Sequence, residues 1–229
     1  MTHTKPSTPT VSVLMFGASG AVGGAALKTL LSDARCQHLT LLGRRSLPGL
    51  ISTKIRQEVV DVFDPASYQH LLAGHDAVVC TFGVGESSKI SKDEFVRIDK
   101  TAVIAFATAC KTAGVRHFEL LSAVASNAQS PSFYLRIKGE LNQALAAMSF
   151  ERLSLFQPSM ILTPTNRYGL MQGLTLALWP KLQPVLPGPL RKYRGIAVEK
   201  LGAAMANNLF TPGSGVEVLQ WDAFVALAK

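Results

Sequence analysis

The run Val11–Gly24, VSVLMFGASGAVGG, constrains the fold of this chain more than any other stretch. Five of the six residues from Val11 to Phe16 are apolar, as in a central parallel strand covered on both faces. Gly17, Gly20 and Gly23 follow at three-residue spacing, a G-x-x-G-x-x-G pattern. So tight a turn needs residues without a Cβ, and so does the close approach of a pyrophosphate to the backbone. A helix over Ala21–Leu31 would aim its free N–H groups and positive dipole end at that anion. The outline is a dinucleotide site, with Ser19, Ala21 and Val22 expected beside the glycines. Glycine triplets are common, so the neighbouring segments have to support the reading.

The most informative neighbour is the second strand, expected over His38–Leu42. An NAD site normally ends this strand on an acidic residue that accepts from the ribose hydroxyls. Here Gly43 stands there, and Arg44 and Arg45 follow at once. Two guanidinium forks suit the 2′-phosphate of NADP. Further strands are expected over Ile55–Val60, Asp76–Phe82, Phe118–Leu121, Arg152–Phe156 and Val216–Leu219. Asp61 and Val62 at the end of the third strand are expected near the adenine, and Thr81 near the end of the fourth and Gly83 just after it are expected close to the cofactor.

Helices are expected after the Asp64-Pro65 cap through Leu72, over Ser91–Ala113, Phe133–Met148 and Ile196–Leu209, near Leu170–Leu178, and after Trp221. The alternation predicts a doubly wound parallel α/β sheet with helices on both faces, in one domain over 1–229. Residues 1–10 read as a loose tail and 161–229 as a substrate-side part. Tyr168, Trp179 and Tyr193 are candidates for shaping a substrate pocket there.

The chain carries a net charge of +8, which favours anionic partners. The charge is scattered and no basic stripe with aromatics occurs, so a nucleic-acid partner is not expected. Leu170–Trp179 is too short to span a bilayer, and Met1–Thr10 lacks the apolar core of a secretory signal. Cys36, Cys80 and Cys110 fit no ligand spacing, the five histidines show no paired-ligand pattern, and no metal is expected. A cytoplasmic protein without a membrane partner is the expectation, as monomer or as homodimer through its long helices.

Three residues suggest chemistry. Tyr134 and Lys138 are four apart and share a helix face. An ammonium near a phenol favours the phenolate, which makes the tyrosine a usable general acid or base. Lys138 could also hold the nicotinamide ribose. Ser122, at the end of its strand, is placed to hydrogen-bond a substrate carbonyl, with Ser126 a weaker rival.

With these residues in view, the chain resembles the short-chain dehydrogenase/reductase superfamily in its atypical branch. More closely it is similar to the Tat-interacting-protein group of NADPH-binding oxidoreductase-like proteins. The resemblance rests on FGASGAVGG (Phe16–Gly24), LTLLGRR (Leu39–Arg45), FVRIDKTAV (Phe95–Val103), HFELLSA (His117–Ala123), YLRIKGE (Tyr134–Glu140) and LSLFQPSMI (Leu153–Ile161). It implies a Rossmann fold that binds NADP(H) in preference to NAD(H), with Gly17, Gly20 and Gly23 on the pyrophosphate and Arg44 and Arg45 on the 2′-phosphate. It implies Ser122, Tyr134 and Lys138 as the catalytic triad, and Pro158, Met160 and Ile161 along the nicotinamide pocket. Classical members carry a relay asparagine on the long middle helix. The nearest residue here is Asp99.

The function expected is hydride transfer between NADPH and a small carbonyl or hydroxyl substrate. The alternative is a cofactor-binding regulator that acts through a protein partner. A sugar-nucleotide epimerase-like enzyme is a weaker third, because about 70 residues after Pro158 leave little room for a nucleotide-sugar domain.

Overall fold

The computed structural model describes residues 10–84, 89–163 and 186–229. The helix expected near Leu170–Leu178, and Tyr168 and Trp179 with it, lie outside the described residues. Seven strands form one sheet: β1 (Val11–Phe16), β2 (Cys36–Gly43), β3 (Ile55–Val59), β4 (Ala77–Cys80), β5 (His117–Leu121), β6 (Arg152–Phe156) and, after two short strands, β9 (Gly215–Leu219). Every pairing is parallel and the spatial order is β3-β2-β1-β4-β5-β6-β9. This is the expected doubly wound, Rossmann-type α/β sheet.

Alternation along the strands builds two cores. Val13 and Met15 of β1 face one layer and Leu14 and Phe16 the other, all fully buried. On the first face lie α1 (Ala21–Ser32), α5 (Val198–Asn208) and α6 (Trp221–Leu227); α1 and α5 meet where Gly202 has no Cβ to strike the backbone N of Ala26, 2.6 Å from where one would stand. On the second face lie α2 (Lys92–Val96), α3 (Val103–Thr112) and α4 (Phe133–Ala147), over the rings of Phe16, Phe106 and Phe118.

Three expected elements take a different form. The segment after Asp64 is two 3-10 turns, Pro65–Ser67 and Gln69–Leu71, rather than one helix. Asp64 does cap it, accepting from Ala66 N at 2.9 Å. Between the turns Tyr68 leaves helical geometry (φ −133°), and its ring is fully buried against Phe16 and Phe106. The expected helix Ser91–Ala113 runs as α2, a π-helical segment over Arg97–Ala102, and α3. The wider turn brings Asp99, 1% exposed, under the sheet edge. Lastly, the helix expected from Ile196 begins at Val198, because Ile196–Ala197 (β8) pairs with Ile161–Leu162 (β7) as a separate ribbon.

Candidate active site

Strand order reverses between β1 and β4, and α/β sheets take ligands in the crevice beyond the strand ends at such a point. Gly17 closes β1 with φ +105°. A Cβ on it would stand 2.5 Å from Phe82 N and 2.6 Å from Thr81 C. One on Gly23 would run into the Gly17 carbonyl and stand 2.5 Å from Thr81 Oγ1. These glycines let the β1–α1 turn press against the end of β4, where Thr81 Oγ1 donates to Gly17 O at 3.1 Å. Gly20 is different. It is exposed, and its nearest obstacle would be Gly17 O at 3.2 Å. Apart from that oxygen, the space beside Gly20 is open.

Gly20 caps α1 without a side-chain bond, and no acidic residue stands in the first turn. The first-turn N–H groups, Val22's among them, are left for an outside acceptor. Ser19 beside them is exposed and Ala21 half-buried, whereas the Val22 side chain belongs to the core. A dinucleotide pyrophosphate fits this cradle in shape and charge.

Arg44 and Arg45 follow β2, both exposed, with no side-chain hydrogen bond or ion pair among the described residues. Asp61, expected near the adenine, is exposed, and its carboxylate accepts from Phe63 N at 2.9 Å and so closes its own turn. Val62 is 2% exposed, with its side chain in the second core rather than against a ligand. Pro158 is buried as well, and its carbonyl accepts from Val124 N; Met160 and Ile161 are half-buried, leading into the β7–β8 ribbon. Tyr193 ends a 3-10 turn over Gly188–Tyr193. A cavity of about 300 Å³ opens between this turn and α6, with Gln220 and Trp221 in its wall.

Tyr134, Lys138 and Asn142 repeat every four residues and share one face of α4. Lys138 is buried, and its Nζ lies 2.7 Å from Asp99 Oδ1. Burial alone would push the ammonium's pKa down. The charge of Asp99 outweighs that, with Tyr134 contributing, and the pKa ends above its ordinary value. The other Asp99 oxygen accepts from Val84 N at 2.8 Å, and Gly83 has no side chain because a Cβ would stand 2.8 Å from Asp99 Oδ1. One carboxylate thus ties the lysine of α4 to the chain leaving β4. The Tyr134 ring is half-buried and packs on Phe95, centroids 5.6 Å apart.

Ser122 is 5% exposed, and its hydroxyl donates to Asn142 Oδ1 at 2.8 Å. Asn142 Nδ2 donates to Ser126 Oγ, which donates to Ala123 O and also accepts from Gln157 Nε2. Gln157 Oε1 accepts in turn from Gln220. Ser126 gives its one proton to a backbone carbonyl, so Asn142 must present its amide to Ser126 and its oxygen to Ser122. Ser122 thus has a partner that the serine-to-carbonyl expectation left out. Asn142 was legible as the next residue on the Tyr134–Lys138 face. Gln157 and Gln220 carry no such signal.

The Gly-rich cradle on a doubly wound sheet, with a Tyr-x-x-x-Lys face beside it, defines a nicotinamide-dinucleotide-binding protein. The NAD(P)H-binding family model matches residues 17–152, and the chain belongs to that family. It is 35% identical to Protein HTATIP2 of Rattus norvegicus over 95% of this chain and 89% of the relative. It is 32% identical to "Protein FMP52-1, mitochondrial" of Scheffersomyces stipitis over 73% and 75% of the two chains. Among solved structures, MoeE5 in complex with UDP-glucuronic acid and NAD superposes with TM-score 0.69 at 18% identity, over 91% of this chain and 75% of that one. The oxidoreductase ylbE from Lactococcus lactis gives 0.56 at 22% identity, over 69% and 73%. Both structural likenesses are likenesses of fold. No helix among the described residues is long and apolar enough to cross a membrane.

Proposed function

We propose that this protein is an NADPH-dependent oxidoreductase acting on a small carbonyl or hydroxyl substrate. The observation that carries the reading is the Asp99 carboxylate, which holds Lys138 and the Val84 backbone at once, beside the switch-point glycines. A fixed lysine one helical turn from a half-buried tyrosine suits a nicotinamide site. The bound cofactor would supply the hydride chemistry. The first-turn N–H groups of α1 would hold its pyrophosphate, Arg44 and Arg45 its 2′-phosphate, and Lys138 its nicotinamide ribose. Tyr134 would exchange a proton with the substrate oxygen. Ser122 would turn its hydroxyl from Asn142 to that oxygen as substrate binds.

A cytoplasmic location, and a monomeric or homodimeric state without nucleic-acid or membrane partners, belong to the same proposal. Three buried free thiols suit a reducing compartment. The relatives named mitochondrial make cell fractionation the deciding measurement.

The test is a fluorescence titration with NADPH and NADH on wild type and on Arg44→Ala/Arg45→Ala. Tighter NADPH binding, lost in the double variant while NADH binding holds, is expected. Failure to bind either nucleotide overturns the proposal. Binding followed by a carbonyl screen in which wild type and Tyr134→Phe are equally inert overturns the catalytic half and leaves a cofactor-binding regulator.

A further inference from the structure

Arg191, Lys192 and Arg194 put three cations into four residues, far along the chain from the cofactor cradle. They stand at the cavity of about 300 Å³ between the 3-10 turn Gly188–Tyr193 and α6, where Lys192, Gln220, Trp221 and Asp222 share the wall. Charge around this cavity does not balance. Among the described residues that line it, Asp222 alone carries a carboxylate, and its Oδ1 is already 2.6 Å from an Arg191 guanidinium nitrogen. Lys192 is half-buried, and its ammonium has no hydrogen bond or ion pair among the described residues, only the ring of Tyr193 at 5.3 Å. Arg194, also half-buried, gives Nε to Leu186 O at 3.1 Å, rests its guanidinium 4.9 Å from the centre of the Trp221 ring, and has no carboxylate partner there. A ring face attracts a cation but leaves its charge in place. Two half-buried cations without a counter-charge, at a cavity with an indole wall, suit an anionic group carried on an apolar stem. The indole is itself held, because Trp221 Nε1 donates to Gly195 O at 3.1 Å.

The cavity is tied to the candidate active site through the sheet. Leu121, Phe156 and Leu219 are register partners at the ends of β5, β6 and β9. The next residue of each strand is Ser122, Gln157 and Gln220, so these three stand in a row along one edge. Hydrogen bonds join the row from end to end. Gln220 Nε2 donates to Gln157 Oε1 and Gln157 Nε2 to Ser126 Oγ, both at 3.3 Å, and Asn142 links Ser126 to Ser122. Two strand spacings separate Gln220 from Ser122, about 10 Å.

We infer that this cavity receives the anionic end of the substrate, and that the protein acts on an acidic carbonyl compound whose carboxylate or phosphate lies on the order of 10 Å from the carbonyl held at Ser122. The inference deepens the oxidoreductase reading and rests on it for the chemistry at the other end. Lys192 and Arg194 would hold the anion, and Trp221 would pack against the stem. Asp222 keeps Arg191 engaged and so limits the charge offered to the ligand.

The test reads binding without turnover. The Trp221 indole N–H signal, assigned by its loss in Trp221→Phe, is followed by heteronuclear NMR on the apo protein at constant ionic strength. Inorganic phosphate, butyrate and butanol are added in separate titrations. A saturating shift with phosphate or with butyrate, and none with butanol, is expected; the anion that binds more tightly names the substrate's acidic group. Lys192→Met and Arg194→Met are each expected to weaken that binding at least fivefold. Asp222→Asn is expected to tighten it, because Arg191 is then released. No saturating shift with either anion overturns the inference. So does an equal response to butanol, or an anion affinity that neither methionine variant changes. The rest of each spectrum shows whether a variant is folded, and the two methionine variants are independent of each other. Failure of NADPH to bind would sink the oxidoreductase reading, while the anion titration on apo protein still decides the cavity.

Discussion

Asn142 Oδ1 accepts the Ser122 hydroxyl proton at 2.8 Å, and both residues are buried. The bond makes two separable predictions. Ser122→Ala leaves the Asn142 oxygen unpaired in the interior, at a cost of about 1–3 kcal/mol in denaturant unfolding. Adding Asn142→Leu is expected to recover part of that cost, since an apolar pair needs no partner. Carbonyl reduction behaves differently. Ser122→Ala is expected to lower kcat about 10²–10³-fold, as loss of a donor to a developing alkoxide does, and the second substitution restores none of it. Stability and activity that recover together would make Ser122 a packing residue and nothing more.

The three glycines of the β1–α1 turn are expected to separate by role. Gly20→Ala meets nothing closer than Gly17 O at 3.2 Å, so its thermal midpoint should stay within a few degrees of wild type. Its NADPH affinity should fall tenfold or more, because the new methyl stands where the pyrophosphate approaches. Gly23→Ala would drive a Cβ into the Gly17 carbonyl and Thr81, and it should lose both stability and binding. Equal unfolding of the two variants would contradict the division.

The polar loop Ala123–Ser132 reaches the site through Gly139. A Cβ there would collide with the backbone of Asn127 and Ala128, and Asn127 N donates to Leu135 O at 3.1 Å. Gly139→Ala is expected to push the loop off α4 and break the Ser126–Asn142 bond. The cost expected is above 2 kcal/mol, in the range of an overpacked core. Cleavage by a protease within 123–132 measures the release; an unchanged digest would refute it.

Much of this was readable from residue order. The apolar run into glycines gave β1 and its turn, and Tyr134 and Lys138 gave the working face of α4, because both signals are local and periodic. What was not readable depends on contacts across the chain. Asp99 lies on a segment whose apolar residues recur as in an ordinary helix, and the π turn that aims it inward has no mark of its own in RIDKT. Gln157 is a common polar residue until β5, α4 and β6 bring it to Ser126, and Asn142, though on the Tyr134–Lys138 face, shows its partners only there. Val62 sat at the expected place in the chain, but its side chain serves the core. Glu119, the one acidic residue of HFELL, interrupts a buried strand, and nothing local says what answers it.

The answer is a polar cluster between the sheet and α5, and it makes stability depend on pH in opposite senses. Glu119 is fully buried; Oε1 accepts from Asn208 at 2.8 Å and Oε2 has no partner. Burial raises its carboxyl well above the ordinary 4.5. His117 is held down to about 3 by burial and by Arg152, so its 3.7 Å approach to Glu119 is not an ion pair at neutral pH. The ion pair of the cluster is Arg152 with Glu217, 2.7 Å apart, where hydrogen bonds from Ser154 and Arg152 outweigh burial and lower the Glu217 carboxyl. Above pH 4.5 the folded chain keeps a Glu119 proton that the unfolded chain releases, so this group's contribution falls as pH rises. Between 3 and 6.5 the unfolded chain binds a His117 proton that the folded chain refuses, so that contribution rises with pH. From 4.5 to 6.5 the two offset each other. Above 6.5 the His117 contribution is complete, and of the two groups only Glu119 still acts on stability, until its raised pKa is passed. Urea unfolding of wild type and Glu119→Gln from pH 5 to 9 checks this. The variant is expected to lose less stability than wild type as pH rises, while keeping the acid-side loss that His117 causes. Parallel curves for the two proteins would show that Glu119 is already ionised in the fold.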